Sequence, residues 1–210
     1  ASLLLHLDGS LTDSALDAIA VTGGSGMSYV TGKFGQAVQF SGDYEQGIFI
    51  PSGAAVIGAG SWTLEMWIKP SGTSRRALLA FENDCRLGID LTDVVRLWAG
   101  SGSGWNVLQS DGGGDSSGIG TVALTVGSWN HIAYQYDANS SRYTSFVNGV
   151  KDIDKVRAGG AFLQTSEALR FGRWGGDSVA PCDDAIDEIR ISQFVRYTEN
   201  FTPAAAPFSS

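Results

Sequence analysis

The segment Ala185-Ile186-Asp187-Glu188-Ile189-Arg190-Ile191-Ser192 is the last long apolar run of the chain and has the composition of a β-strand. Side chains of a strand alternate between the two faces of its sheet, so Asp187 is expected to share a face with Ile189 and Ile191. These isoleucines mark that face as the buried one. The pattern therefore predicts an inward-pointing carboxylate, which must be paired, hydrogen-bonded or bound to a metal.

About a dozen short segments along the chain read as strands, and no segment reads as a long helix. The clearest spans residues 61–70, where four apolar residues alternate with a second set: Trp62, Leu64, Met66 and Ile68 against Thr63, Glu65, Trp67 and Lys69. Asn148-Gly149 is a strong hairpin signal. Residues 11–29 and the glycine-rich residues 99–120 are predicted to be loops. The pattern favours an antiparallel sandwich or barrel.

Length and composition indicate one globular domain spanning residues 1–210 with a sparsely charged surface, since 43% of the 210 residues are hydrophobic and 17% are charged. The formal charge is 14 − 22 = −8. That balance argues against nucleic acid or an anionic membrane surface as the partner, because both need a basic patch. The chain has no apolar run long enough for a membrane helix and no signal-peptide pattern at its start, so we expect no membrane insertion.

Six segments resemble the laminin-G-like, concanavalin-A-like jelly-roll modules and occur in the order found there. They are LLLHLDGS (3–10), GKFGQAVQFSG (32–42), WTLEMWIKP (62–70), WNHIAYQYD (129–137), FVNGV (146–150) and IDEIRIS (186–192). The resemblance implies an all-β, two-sheet antiparallel sandwich with a core over residues 3–193 and a tail over 194–210. The tail segment FVRYTENFTP (194–203) resembles the ending of such modules in tailed-phage structural and tail proteins.

The resemblance also implies a candidate calcium site, because many relatives bind one structural Ca²⁺ where the first and last strands pair. Asp8 ends the first strand and Asp187 begins the last, and the turn carbonyls of Gly9 and Ser41 are expected nearby. Such hard oxygen ligands suit Ca²⁺. The alternative is that Asp187 accepts backbone N–H bonds from a neighbouring turn with no metal. No organic cofactor is expected.

A carbohydrate site is predicted from aromatic residues that lie beside glycines and polar groups. An indole stacks on the apolar face of a sugar, and planar polar groups orient its hydroxyls. The candidates are Arg173, Trp174 and Asp177 in the loop before the last strand, together with Trp98 and Trp105. The alternative is that these tryptophans only close the ends of the sandwich. Trp62 and Trp129 are predicted to pack in the core, and His131 to be a hydrogen-bonded strand histidine.

Enzymatic activity is not predicted, although glycanases share the fold. Glucanases of this family carry acids in an E-x-D-x-x-E pattern on one strand, and the pattern does not occur here. Glycoside hydrolysis needs two carboxylates across a cleft. Asp187 and Glu188 are adjacent and are therefore expected on opposite faces.

Two cysteines, Cys85 and Cys182, allow one disulfide, which would tie the loop before the last strand to the sheet in an oxidising, extracellular setting. Two unrelated buried thiols are the alternative. These observations predict a recognition module that is extracellular or virion-associated and binds a glycan on a cell surface as part of a phage tail or virion adhesion protein. The alternatives are a structural domain that contacts neighbouring virion or adhesin domains and a glycoside hydrolase of the same fold.

Overall fold

A computed structural model describes most of the chain. The described residues are 1–16, 18–43, 46–51, 57, 60–72, 76–81, 85–89, 94–101, 104–107, 119–156, 168–172 and 182–210, with the backbone alone at 76–81, 85–89, 94–101, 104–107 and 119. These residues form sixteen β-strands in two antiparallel sheets. The all-β prediction is confirmed. No helix in the described ranges is long and apolar enough to cross a membrane.

Sheet I contains eight strands, with the last strand of the chain near its centre. In spatial order the strands are β14 (Val150–Val156), β13 (Arg142–Val147), β12 (Asn130–Asp137), β6 (Trp62–Lys69), β16 (Ala185–Ser192), β4 (Gln36–Phe40) and β3 (Met27–Thr31), with β1 (Leu3–Leu5) also on β16. The first and last strands pair antiparallel as the resemblance implied, with Leu3 opposite Ile191 and Leu5 opposite Ile189.

Sheet II also contains eight strands and includes most of the middle of the chain. In spatial order they are β10 (Gly104–Val107), β9 (Val94–Ser101), β8 (Cys85–Ile89), β7 (Arg76–Phe81), β15 (Leu169–Phe171), β5 (Ile48–Ile50) and β2 (Thr22–Gly23), with β11 (Ile119–Ala123) also on β9. Segments predicted to be loops contain strands β2 and β10 and the start of β11, and also the start of β3 in sheet I. These strands are rich in glycine and polar residues and are held by backbone pairing, so their sequences show no hydrophobic alternation that would predict a strand.

The hydrophobic core lies between the facing surfaces of the two sheets. From β6 it contains Trp62, Leu64, Met66 and Ile68, the alternating apolar set, each at most 2% exposed. Sheet II contributes β5 and β15 residues such as Ile48 and Phe171 to the same cluster. Trp62 therefore packs in the core as predicted. Trp129 is half-buried and packs against a second hydrophobic cluster, which lies on the outer face of sheet I and not between the sheets.

The period-two prediction for Asp187 is also wrong, because β16 contains a β-bulge. Asp187 pairs with Trp67 and Arg190 with Glu65, so Glu188 and Ile189 together lie opposite Met66. Glu188 has φ +54°, a left-handed conformation that non-glycine residues rarely adopt. The extra residue reverses the alternation, and Asp187 lies on the outer face of sheet I while Ile186, Ile189 and Ile191 enter the core. Asp187 is nevertheless fully buried.

The outer face of sheet I is covered by the C-terminal segment, residues 193–210, called the tail strap below. Phe194 and Arg196 both bond to Thr63, Tyr197 to Gln135, and the Phe201 N–H donates to the Gly149 carbonyl at 2.9 Å. Phe208 is 4% exposed and packs with Leu4 and Trp67. This cover explains why all eight residues of β16 are buried.

Candidate functional site

The face of sheet II that points away from the core carries aromatic and arginine positions in one cross-strand row. Residues directly opposite each other in antiparallel strands share a face. Ile48, Ile50, Leu169 and Phe171 belong to the core, so Phe49 and Arg170 between them lie on the outer face. The register extends this row across neighbouring strands as Thr22, Phe49, Arg170, Ala80, Arg86 and Trp98.

A cavity of about 180 Å³ lies at the β2 end of this row. The guanidinium carbon of Arg170 lies 4.9 Å from the centre of the Phe49 ring, within the range of a cation–π contact. Both side chains are half-buried, so each keeps exposed surface toward the cavity. The remaining lining residues are Thr22, Gly23, Gly24, Gln46, Gly47 and Ile48. An aromatic ring beside a planar hydrogen-bond donor is the arrangement expected of a sugar subsite.

Gln46 fixes the wall of this cavity from beneath. Its side chain is buried, and its Oε1 atom accepts N–H bonds from Ser41 at 2.7 Å and Gly42 at 3.0 Å. Its Nε2 atom donates to the carbonyls of Gly172, at 3.1 Å, and Cys182. One amide therefore links the turn after β4, the end of β15 and the approach to β16. Gln46 could not be identified from the sequence, because a single glutamine carries no motif.

Two of the predicted carbohydrate residues lie together on the outer face of sheet II. Trp98 in β9 is opposite Val107, and Trp105 in β10 is opposite Gly100, so both tryptophans share one face. They occupy diagonal positions on adjacent strands, for which the separation is roughly 7–8 Å. Trp105 belongs to a strand and not, as predicted, to a loop. Arg173, Trp174 and Asp177 lie outside the described residues, and their role stays a prediction.

The predicted calcium ligands are only partly brought together. Asp8 and Asp187 bind the same turn between β3 and β4, since Asp8 Oδ1 accepts the Gln36 N–H at 2.5 Å and Asp187 Oδ2 the Phe34 N–H at 2.9 Å. Gly9 lies against the Gln36 side chain. Ser41 follows the far end of β4, about 16 Å from Gln36 at roughly 3.3 Å per strand residue. Its expected place beside Asp8 is therefore wrong.

The electrostatics of Asp187 bear on what this corner can hold. Burial raises the pKa of Asp187 to about 7, the Phe34 N–H bond opposes the shift, and the neighbouring Glu188 charge adds to it. Among the described residues, Asp187 Oδ1 has no hydrogen-bond partner, so one oxygen could serve a hard cation. The described residues contain no cluster of three or more His, Cys, Asp and Glu side chains suited to a metal. The two carboxylates fit a metal as part of a set completed by carbonyls or water, and Ca²⁺ stays a prediction.

Glu65 is the centre of a buried ionic network beneath the tail strap, and no pattern in the sequence indicates this network. Its Oε1 atom accepts from Arg190 Nε at 2.9 Å, and its Oε2 atom accepts from the Tyr197 hydroxyl at 2.6 Å and lies 3.2 Å from His131 Nε2. Burial opposes ionisation, but the His131 bond, the Arg190 charge and the Tyr197 bond together hold the pKa of Glu65 below its usual range. Glu65 is 0% exposed, so it holds the strap and does not face solvent.

Each histidine has a structural partner. His131 is buried against Glu65, as predicted, and lies edge-on to Trp67, Phe201 and Phe208. His6 Nδ1 lies 2.7 Å from Glu188 Oε1, and the other oxygen of Glu188 accepts the Phe208 N–H. Of the cysteines, Cys182 is buried beside Gly172, whereas Cys85 opens β8 on the far side of β7 from β15. The disulfide stays a prediction because the Cys85 side chain lies outside the described part of the chain.

Two antiparallel sheets packed face to face, with the first and last strands paired at the centre of one of them, define a concanavalin-A-like jelly-roll sandwich. The sequence profile of the concanavalin A-like lectin/glucanases superfamily matches residues 40–199, and the chain belongs to this superfamily. No curated protein sequence matches the chain.

Solved structures confirm the fold. Domain 4 of AbnA, a GH43 extracellular arabinanase from Geobacillus stearothermophilus solved in complex with arabinotriose, superposes with a TM-score of 0.68 at 21% identity, covering 90% of each chain. The binding domain of Paraclostridial Mosquitocidal Protein 1 gives 0.69 at 12% identity, and that of botulinum neurotoxin serotype D gives 0.67 at 11%. This chain covers 93% and 94% of its own length in these two matches but only 49% of each toxin chain. At such identities the likeness concerns the fold alone.

Proposed function

We propose that this chain is a non-enzymatic carbohydrate-recognition module and that the outer face of sheet II is its binding surface. The observation that carries the proposal is the cross-strand row in which Phe49 and Arg170 border a cavity and Trp98 and Trp105 occupy the same face. Aromatic rings stack on the C–H faces of sugars, while guanidinium groups donate to ring and hydroxyl oxygens.

The size and shape of the row suit an oligosaccharide more than a single sugar. Phe49 and Trp98 are separated by four strand spacings, about 19 Å at roughly 4.8 Å each. The strands that carry the row are paired side by side, so its positions are held in register by the backbone of the sheet. The AbnA domain, which shares the fold, was solved with arabinotriose, and this supports a glycan as the ligand class.

The chemistry of the same face supports binding without catalysis. Glycoside hydrolysis requires two carboxyl groups flanking the scissile bond. The eight described strands of sheet II contain no Asp or Glu. Glu65, which bonds to Arg190, Tyr197 and His131, is buried on the other sheet beneath the tail strap. We further propose that the module is displayed outside the cell or on a virion, which the likeness of the tail strap to phage tail modules supports.

A glycan array tests the proposal, followed by titration of each hit against Phe49→Ala and Trp98→Ala. We expect binding that both variants weaken, since each removes a stacking surface. Tyr29→Ala is the matched control, because Tyr29 is 41% exposed on β3 of sheet I and its loss should leave binding unchanged. An array without a single glycan hit, combined with binding to a neighbouring virion or adhesin protein, would show an interaction domain and refute the proposal.

A further inference from the structure

Strand β3 forms one edge of sheet I and pairs on one side only, with β4, in a continuous register without a bulge. Just before β3 the Ser41 N–H donates to the Gly26 carbonyl at 3.0 Å, and just after it the Gly32 N–H donates to the Gly35 carbonyl at 3.0 Å. Residues of an antiparallel strand direct their backbone groups alternately to the two sides. The even-numbered residues of β3 therefore bond to β4.

The odd-numbered residues Met27, Tyr29 and Thr31 direct their N–H and C=O groups away from the sheet. In the part of the chain that the structure describes, no other strand or turn bonds to these groups. The strand is also accessible, because Ser28 and Thr31 are exposed and Tyr29 is 41% exposed. Free N–H and C=O groups along an edge can pair with another strand.

Proteins usually protect such an edge with a charge, a proline or a bulge, and β3 has none of these. Its nearest charged residue along the chain, Lys33, is turned back over the sheet, with its Nζ atom 4.3 Å from the centre of the Trp67 ring. The opposite edge of the same sheet, β14, has a bulge in its pairing with β13. That strand also carries four charged residues, namely Lys151, Asp152, Asp154 and Lys155.

The β14 edge is covered as well. Asp152 Oδ1 accepts the backbone N–H groups of Thr121 at 2.6 Å and Val122 at 3.0 Å, so β11 lies against this strand. A contact between β3 of one copy and β14 of the next, which would build an open filament, is therefore disfavoured. Two β3 strands related by a two-fold axis meet without any charge, and each uses up its free edge, so the assembly closes as a dimer.

The antiparallel register that uses every free backbone group places Tyr29 on the two-fold axis. Met27 then lies opposite Thr31 of the second copy, and Tyr29 lies opposite the same residue of the second copy. Each of these pairs exchanges two hydrogen bonds. Side chains directly opposite each other are about 5 Å apart, so the two tyrosine rings are within reach of an aromatic contact.

We propose that this protein forms a two-fold symmetric homodimer through β3, in which the two copies of sheet I join edge to edge into one continuous sheet. The contact involves a strand of five residues on each copy, so we expect a weak dimer with a dissociation constant on the order of 100 µM. The proposed carbohydrate surface lies on the other sheet, and the dimer does not depend on it.

Sedimentation equilibrium of the 210-residue chain from about 10 µM to about 1 mM tests the proposal, and the mass should rise from that of the monomer to that of the dimer and no further. Tyr29→Lys and Tyr29→Glu each remove the aromatic pair and place like charges directly opposite each other. Each variant alone should therefore dimerise at least about tenfold more weakly. An equimolar mixture of the two variants should restore the dimer, because opposite charges then meet at the axis.

Val156→Lys and Val156→Glu are the matched controls, because Val156 is 50% exposed on β14 at the other edge of the same sheet. Neither should change the association. Thermal unfolding shows whether each variant is folded.

Amide hydrogen exchange of the wild type detects the same contact without any substitution, and it decides the matter if the Tyr29 variants do not fold. Raising the protein concentration should slow exchange at Met27, Tyr29 and Thr31, by about tenfold when roughly nine-tenths of the chains are dimeric. Ser28 and Val30 already bond to β4, so their exchange should not change with concentration.

A chain that stays monomeric at about 1 mM overturns the proposal and leaves an extended segment of another protein as the occupant of this edge. Assemblies larger than a dimer also overturn it. So does a dimer that the Val156 variants weaken as much as the Tyr29 variants, or one that the mixture of Tyr29 variants fails to restore. Exchange that slows equally at odd and even positions excludes pairing through the free edge.

Discussion

Glu65→Gln is the substitution that most directly tests how the tail strap is held. Glutamine has nearly the shape of glutamate but lacks the charge that Arg190 pairs with at 2.8 Å and 2.9 Å, and its NH₂ group cannot accept the Tyr197 hydroxyl bond. Arg190 is 8% exposed and would be left as a buried, poorly compensated cation. Breaking one side of a buried ion pair costs about 3–5 kcal/mol, so we expect the free energy of unfolding to fall by about 3 kcal/mol.

Urea denaturation at pH 7 measures this loss, and a thermal melt should show a midpoint lower by roughly 10 °C for a chain of this size. Asp154→Asn is the control, because the Arg142–Asp154 pair is at least one-third exposed on both sides and contributes about 0.5 kcal/mol or less. The pKa of Glu65 is depressed from 4.5, so its stabilisation is complete above about pH 4.5 and is lost as the pH falls through the folded-state pKa. The variant should therefore lose less stability on acidification. A Glu65→Gln loss no larger than that of Asp154→Asn would refute the reasoning.

Three further changes probe other parts of the sandwich. Because burial raises the pKa of Asp187 from 3.8 to about 7, the native state holds a proton that the unfolded chain releases, and stability should decline as the pH rises from about 4 to about 7. Asp187→Asn should flatten that decline in urea titrations. A pH profile of stability that is unchanged in the variant would contradict this reasoning. If calcium binds at Asp8 and Asp187, added Ca²⁺ should raise the melting midpoint of the wild type at pH 8 but not that of Asp187→Asn, and an EDTA-insensitive midpoint argues against the metal. Gly149 has φ +80°, and the methyl carbon of Gly149→Ala would overlap the Phe201 carbonyl, whereas Gly127 has φ +74° and open space around it. We expect Gly149→Ala to make the tail strap more susceptible to limited proteolysis and Gly127→Ala to cost only the backbone strain of about 1–2 kcal/mol. Equal effects of the two variants would count against a docked strap.

The sequence predicted the strands best where one face is buried and the other is not. Residues 61–70 and 129–137 alternate cleanly, and the structure has β6 and β12 there. The predictions failed at β2, β10 and the start of β3, because those strands are held by backbone pairing along sheet edges and carry little hydrophobic pattern. Trp98 and Trp105 were predictable as candidates from their composition, but their common face depends on the register between β9 and β10, which a single sequence does not encode.

The sequence alone determined the fold class, the antiparallel pairing of the first and last strands and the core face of β6, since these follow from periodicity and from segments with a strong family likeness. The tertiary structure decided the direction of Asp187, because a single bulge at Glu188 reverses the alternation of β16. It also decided that Glu65 is buried, because the tail strap that covers it lies about 130 residues away along the chain. The face to which a side chain points and the segment that covers it depend on which distant segments meet, and the local sequence pattern carries no information about those contacts.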